Sequence, residues 1–351
     1  MHKFDYSFLK NTNIPSKFIT LSLSIGELKN KALDRQRIYT DAFNELEKIA
    51  KVQSVKSSNA IEGIITSDSR IQEIVNKNSA PLNHDEAEIA GYRDALNLIH
   101  MNYKTLDFSE NTILSLHSML LSYTNYQYGG KYKDTDNVIL EIDANGNRSV
   151  RFCPTPASET PKAMEQLYFA YLSAKQDYGI NPLLLIPCVI LDFLCIHPFS
   201  DGNGRMSRLL SLLLLYKEGY DVVKYISYEE QINKYKDLYY EALRISSKGW
   251  DLNENDYFAF VENFIFMLLR CYRELDMRFS VVNGKKLSKT NRIEETLKNS
   301  ITPLSKADIY KVLPDVSVTT IESVLGKLVK SGVVEKIGTS RNTRYIYKKA
   351  L

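Results

Sequence analysis

The sequence predicts a mainly α fold: a helical bundle interrupted by one β-hairpin, followed by a small C-terminal module of three helices and a second hairpin. Three observations carry this expectation. Apolar residues recur at helical spacing through most of the chain, as in Ile89, Tyr92, Ala95, Leu96 and Ile99. Only two regions, near 138–152 and 335–347, read as short strands flanking a polar turn. A polar linker from Val281 to Lys289, containing Gly284, sets a basic tail apart from the rest.

The elements follow in chain order. Residues 1–80 read as two helices and a connector, one over Ile25–Lys31 and onward, the next from Asp41 to Ile61, with Gly63 suited to end it. The helical body, 81–280, begins at Asp85 with DEAEIAGYRDALNLI. Val138–Ile142 and Arg148–Phe152 flank Asp143–Asn147, where Asn145-Gly146 is a tight-turn signal. A lone ribbon is marginal, so it is expected to rest on the helices. Pro182–Ile196, with Asn181 as cap and Pro182 in the first turn, reads as a buried helix. A second buried helix runs through Leu209–Tyr216 and stops near Gly219, and Glu229–Leu243 reads as one amphipathic helix. In 285–351 three helices are expected, around Lys289–Lys298, Ser305–Val312 and Val318–Lys330, then strands Glu335–Ile337 and Arg344–Tyr347.

Composition bounds the class. A chain of 351 residues has room for two or three full cores, and 25% charged with 44% hydrophobic residues is ordinary for a soluble protein. No apolar run approaches the roughly twenty residues of a membrane span. MHKFDYSFLKN lacks the apolar centre of a signal peptide, so the expected compartment is the cytoplasm. Cys153, Cys188, Cys195 and Cys271 have no paired spacing and read as reduced core thiols. His2, His84, His100 and His117 are scattered singly and read as structural or surface residues.

The chemistry concentrates in His197–Arg208, HPFSDGNGRMSR, between the two buried helices. Its second helix begins near Asn203 or Gly204, which puts Arg205 and Arg208 in the first turns, three residues apart on one face. Cations at a helix N-terminus oppose the dipole, so the pair makes sense if an anion balances it. Glycines let loop amides approach that anion, and the helix end adds unpaired N–H groups. A polyphosphate is the expected occupant. Asp201 then suits magnesium, which takes one or two carboxylates together with phosphate oxygens. His197 is left as the base that takes a proton from an attacking hydroxyl. The plain alternative, a glycine-rich turn with solvated charges, suits a bare GNG better than this whole constellation.

HPFSDGNGRMSR resembles the signature of Fic-domain proteins, HPFx[D/E]GNGRxxR, at every defined position. The resemblance implies a Fic-type helical bundle that binds ATP and Mg2+ and, in most members, transfers AMP to a hydroxyl side chain of a protein with release of pyrophosphate. It makes His197 the general base and Asp201 the magnesium ligand. Gly202, Asn203 and Gly204 become the phosphate nest, and Arg205 and Arg208 the β- and γ-phosphate ligands. Some members remove AMP or use other phosphate donors.

Further features fit the same family. SSNAIEG resembles its inhibitory pattern [S/T]xxxE[G/N] through Ser58, Glu62 and Gly63; Ser58 and Glu62 share a helix face. The resemblance implies that Glu62 pairs with Arg208 and occupies γ-phosphate space. It makes the hairpin a flap over the site, with Val138, Ile139 and nearby backbone docking a target by strand addition. Tyr239 and Tyr240 resemble aromatics that many members place near the nucleotide, although core packing explains a tyrosine equally well.

The tail is unevenly charged. Residues 284–351 hold fourteen Lys or Arg against six Asp or Glu, a net of +8, which leaves −5 for the rest of a chain totalling +3. Its three helices and terminal hairpin look like a winged-helix module. The third helix is expected to bury Ile321, Val324, Leu325 and Leu328, leaving Thr319, Thr320, Glu322, Ser323 and Lys327 outward. Lys336, Arg341, Arg344 and Lys348 could follow DNA phosphates, while protein docking or dimer formation are the other uses of such a module. A homodimer is the default assembly. Two readings result: an ATP-dependent protein AMP-transferase restrained by Glu62, or a DNA- or protein-binding regulator whose pocket senses a nucleotide.

Overall fold

The computed structural model describes residues 2–11, 13–142, 148–177, 179–280, 288–298, 300, 303–313, 316–339 and 343–348. The Asn145-Gly146 turn, linker residues 281–287 with Gly284, and Arg341 lie outside the described residues.

Among the described residues four helices, not two, precede residue 80: α1 (Phe8–Asn11), α2 (Ser16–Ile38), α3 (Thr40–Ile61) and α4 (Asp68–Lys77). The expected pair are α2 and α3; α1 and α4 escaped the sequence reading, as did the first turns of α2. The start of α2 hides because Phe18 and Ile25 are its only buried residues, too sparse for a stripe. In α4, Ser67 caps the helix by accepting the Arg70 N–H, and Ile71, Ile74 and Val75 bury at helical spacing, a short but legible pattern.

The body continues with α5 (His84–Asn102), α6 (Glu110–Leu120), the hairpin β1 (Ile139–Ile142) and β2 (Arg148–Phe152), then α7 (Thr160–Lys175), α8 (Pro182–Ile196), α9 (Asn203–Lys217), α10 (Tyr228–Lys234), α11 (Lys236–Ser247) and α12 (Phe258–Ser280). The single helix expected over 229–243 is two, because Tyr235 leaves helical geometry at φ −120°, ψ 37°, its ring under the Arg270 guanidinium. Helices α8 and α9 are the buried centre. In α8 Asn181 accepts the Leu183 N–H at 2.9 Å, and Leu183 through Ile196 are all buried. Each such Leu or Ile contributes roughly 1.5–3 kcal/mol, so this pair fixes where the loop between them sits.

The N-terminal helices share that core. Helix α2 lies along α12, with ion pairs Arg35–Asp276 at 2.7 Å and Lys17–Glu262 at 2.5 Å, and α3 packs against α5 and α10. In the hairpin, Leu140 pairs with Val150 and Ile139 with Phe152, with a bulge between Ile139 and Leu140. Cys188, Cys195 and Cys271 are buried free thiols, but Cys153 is exposed just past β2, so it is not a core residue.

The C-terminal residues form α13 (Lys289–Lys298), α14 (Lys306–Val312), α15 (Val318–Lys330), β3 (Val334–Ile337) and β4 (Arg344–Tyr347). A bridge from Leu304 to Tyr345 adds a third strand position, and Ile321, Val324, Leu325 and Leu328 are buried as the α15 pattern requires. Helix α14 packs against α3, with Lys311 Nζ 3.6 Å from Glu45.

Candidate active site

Helix α8 ends on His197, whose φ of 52° and ψ of 60° turn the chain sharply out of the helix. Its Nδ1 lies 3.3 Å from the Leu194 carbonyl. A carbonyl only accepts, so in the neutral ring Nδ1 carries the proton and Nε2 is left with a free lone pair. Burial lowers the imidazole pKa to about 4; the Leu194 bond opposes the shift and Lys133 reinforces it. His197 therefore stands as a neutral base at ordinary pH. It lines a cavity of ≈ 330 Å³ together with Glu62, Val138, Ile139, Gly204, Arg208, Tyr239 and Tyr240. A wider groove of ≈ 590 Å³ lies between the N-terminal segment and α7, but its walls hold no such grouping of base, glycine and arginine.

The loop after His197 is braced from several sides. Asn203 closes it on itself: Oδ1 accepts the Phe199 N–H at 2.9 Å and Nδ2 donates to the Phe199 carbonyl at 2.7 Å. Gly202 caps α9 with φ +82°, a conformation that favours glycine, and a Cβ there would meet Leu120 at 3.0 Å. His117 on α6 stacks on Phe199 with ring centroids 3.7 Å apart and takes the Gly130 N–H on Nδ1 at 3.0 Å. Its Nε2 is thus the donor, 3.1 Å from the Asp201 carbonyl. The first turn of α9, residues 203–205, offers the N–H groups that any helix start leaves unpaired within the helix.

Arg208 is buried and held by α3. Its Nε donates to Ser58 Oγ at 2.8 Å, and its Nη2 donates to the Ser58 carbonyl at 2.9 Å and to Glu62 Oε1 at 2.8 Å. Helix α3 ends here because Gly63 takes φ +83°, its N–H returning to the Ala60 carbonyl at 3.1 Å. Burial works against the Glu62 carboxylate, but the charge of Arg208 and their hydrogen bond outweigh it, so its pKa falls below the usual value. Gly204 completes the fit: a Cβ there would collide with Glu62 Oε1.

The other expected residues fall as follows. Arg205 is buried but is not part of the cavity wall; it pairs with Glu88 and sits 3.2 Å from Asp201 Oδ2. Asp201, its side chain 46% exposed, lies beside the cavity rather than in its wall. Both Tyr239 and Tyr240 reach the cavity, and Tyr239 also packs against Phe260. Val138 and Ile139 bring the hairpin to the same cavity. Sequence reading missed His117, Glu88 and Lys133 as supports of the loop: His117 and Glu88 sit in no motif, and Lys133 lies in GGKYKDTDNVI, a run that resembles the family's pattern but does not show what the lysine grips. It also missed buried Glu229, which accepts from Tyr92 Oη at 2.9 Å behind Ser58.

Two buried helices joined by a glycine-rich loop thus bring a base, an arginine and a helix N-terminus together in a mainly helical protein. Residues 107–215 match the Fic/DOC family, and the chain carries a Fic domain there. The protein is similar to protein adenylyltransferase Fic of Culex quinquefasciatus, 26% identical over 226 residues, covering 63% of this chain and 42% of that protein. The same-named protein of Nematostella vectensis is 26% identical over 211 residues, covering 58% and 44%. The chain thus spans less than half the length of these curated relatives. Among solved structures, a Fic family protein from Desulfovibrio desulfuricans G20 superposes with a TM-score of 0.61 over 97% of this chain and 98% of its own, at 20% identity. A Fic domain containing signaling protein from Bacteroides thetaiotaomicron gives 0.60 over 71% and 94%, at 23% identity. These likenesses establish the fold, over nearly the whole chain in the first case.

Proposed function

We propose that this protein transfers AMP from ATP to a hydroxyl side chain of a protein, itself or another, and that Glu62 restrains the reaction. The observation that carries this reading is one cavity in which His197, Gly204, Arg208 and Glu62 face each other under the hairpin. The relatives named protein adenylyltransferase Fic support it.

The triphosphate would lie over the start of α9, its terminal phosphate on Arg208 once Glu62 withdraws. The adenine end would lie toward Tyr240 and Leu243, which line the same cavity. A target segment would pair with the hairpin beside Val138 and Ile139, presenting its hydroxyl to His197 Nε2. As that oxygen bonds to the α-phosphorus, His197 takes its proton, and the bond to pyrophosphate breaks in line. Positioning and fixed dipoles supply most of the acceleration. Arg205, paired with Glu88, would orient Asp201 and approach the β-phosphate only by leaving that pair.

Magnesium fits the residues present. Asp201 is a lone carboxylate that reaches solvent beside the phosphate end, the arrangement suited to an ion that keeps waters and shares phosphate oxygens. When bound, the ion supplies charge stabilisation to the phosphoryl oxygens.

The test is magnesium-dependent labelling of protein from ATP carrying label on the α-phosphate, with γ-labelled ATP as control. Label from the α-position alone establishes AMP transfer. Release of AMP from a modified target would instead establish the reverse reaction, in which Glu62 positions water. Nucleotide binding with neither reaction would favour the regulator reading, with DNA or protein contact through α15 and β4. Localisation in the cytoplasm and assembly as a homodimer remain parts of the proposal; no helix among the described residues is long and apolar enough to cross a membrane.

A further inference from the structure

Lys133 is only 4% exposed, and a lysine is rarely so buried without specific partners. Its backbone N–H donates to the Pro198 carbonyl at 2.9 Å. Its Nζ donates to the Ile196 carbonyl at 3.3 Å and to Asn137 Oδ1 at 2.8 Å. Asn137 Nδ2 in turn donates to the Phe199 carbonyl at 3.2 Å. The carbonyls of Ile196, Pro198 and Phe199, on both sides of His197, are thus each gripped by Lys133 or Asn137.

Two further facts give the grip a purpose. Ile196 closes α8, where the helix dipole gathers partial negative charge, so an ammonium there is favourable as well as hydrogen-bonded. Asn137 stands two residues before β1, the strand that brings Ile139 to the cavity. One short segment therefore joins the frame of the base to the hairpin.

We infer that Lys133, with Asn137, is a positioning residue for His197, fixing the peptide frame that presents the imidazole and coupling it to the hairpin where a target docks. The inference rests on the AMP-transfer reading. Lys133 touches neither the imidazole nor the expected substrate; it acts through the backbone and through its charge. The charged groups around His197 are Lys133, Glu62 and Asp201, with Arg151 and Arg208 in the same cavity wall; Lys133 favours the neutral ring, while Glu62 and Asp201 oppose it.

The experiment compares Lys133→Met, Lys133→Arg and Asn137→Ala in the Glu62→Gly background, by α-label transfer across pH and ATP concentration, with a urea melt on each variant. Misplacing a base frame is expected to lower kcat for Lys133→Met about tenfold while KM for ATP stays within about twofold. Its acid limb should move to higher pH, because losing a nearby positive charge makes His197 easier to protonate. Lys133→Arg should restore rate and profile substantially, and Asn137→Ala should change the rate in the same direction by less. If Glu62→Gly alone transfers no AMP, the proposed activity falls and this inference with it. If Glu62→Gly transfers AMP while Lys133→Met keeps its rate and profile, the positioning role is overturned and AMP transfer stands. Rate losses that merely track lost stability in Lys133→Met and Asn137→Ala overturn it as well.

Discussion

Glu62 Oε1 lies 2.8 Å from Arg208 Nη2, and Ser58, one turn earlier on α3, takes the Nε of the same guanidinium at 2.8 Å. The α3 helix thus supplies both the counter-charge and the neutral anchor of a buried arginine. An acid in the last turn of a helix is opposed by the dipole, so Arg208 is what makes Glu62 favourable there. In the proposed reaction a triphosphate would replace the carboxylate while Ser58 continues to hold Nε.

Gly204 and Glu62 should be energetically coupled. In an exposed helix Ala is favoured over Gly by about 1 kcal/mol, but here the added Cβ would collide with the Glu62 carboxylate. Gly204→Ala should therefore destabilise the wild type and become neutral or stabilising in Glu62→Gly. Urea melts on the four members of that cycle test this; additive effects would mean that Glu62 does not occupy the observed position.

Activity should persist to unusually low pH. A base works only when neutral, and burial lowers His197 from 6.5 to about 4. The acid limb of kcat/KM for ATP should fall well below the ordinary imidazole range. The same shift leaves the folded state less able to bind a proton than the unfolded chain, so stability is lost as pH drops from about 6.5 toward 4. A limb near 6.5 would show an imidazole open to water.

Asp192 on α8 should be a stability residue. Its Oδ2 accepts from Tyr6 at 2.7 Å, and its Oδ1 accepts from Trp250 Nε1 and Tyr257 Oη, each at 2.8 Å. Asp192→Ala strands these donors and should cost about 3–5 kcal/mol. Asp192→Asn, keeping an acceptor oxygen, should cost clearly less. Equal losses in denaturant titrations would contradict this role.

Replacing Asp201 should act on the metal rather than on the fold. Its side chain is partly exposed and, among the described residues, its ion pair is with Arg205, so Asp201→Ala should melt within about 1 kcal/mol of wild type. Magnesium-dependent transfer should be lost. Unchanged magnesium dependence would remove Asp201 from the proposed site.

Much of this was legible in the chain, for physical reasons. The two apolar runs around HPFSDGNGRMSR could only be buried helices, so the loop had to lie between them. The spacing of Ser58 and Glu62 put both on one helix face, and both reach Arg208. Other parts were hidden because local pattern does not encode them. The outward surface of α2 carries too few buried residues to mark its length. The break at Tyr235 has no glycine or proline to announce it. His117 looked like any isolated histidine, since its partners, the Gly130 amide, the Asp201 carbonyl and the Phe199 ring, meet only in the fold. Arg205 showed its position in the motif but not its pairing with Glu88.

The most direct measurement is α-label transfer from ATP by wild type, Glu62→Gly and His197→Ala under the same magnesium concentration. Freeing the buried Arg208 for a phosphate should raise labelling in Glu62→Gly by about tenfold or more over wild type, with His197→Ala near background. Equal labelling by wild type and Glu62→Gly would contradict restraint by Glu62, and labelling that survives in His197→Ala would contradict the base.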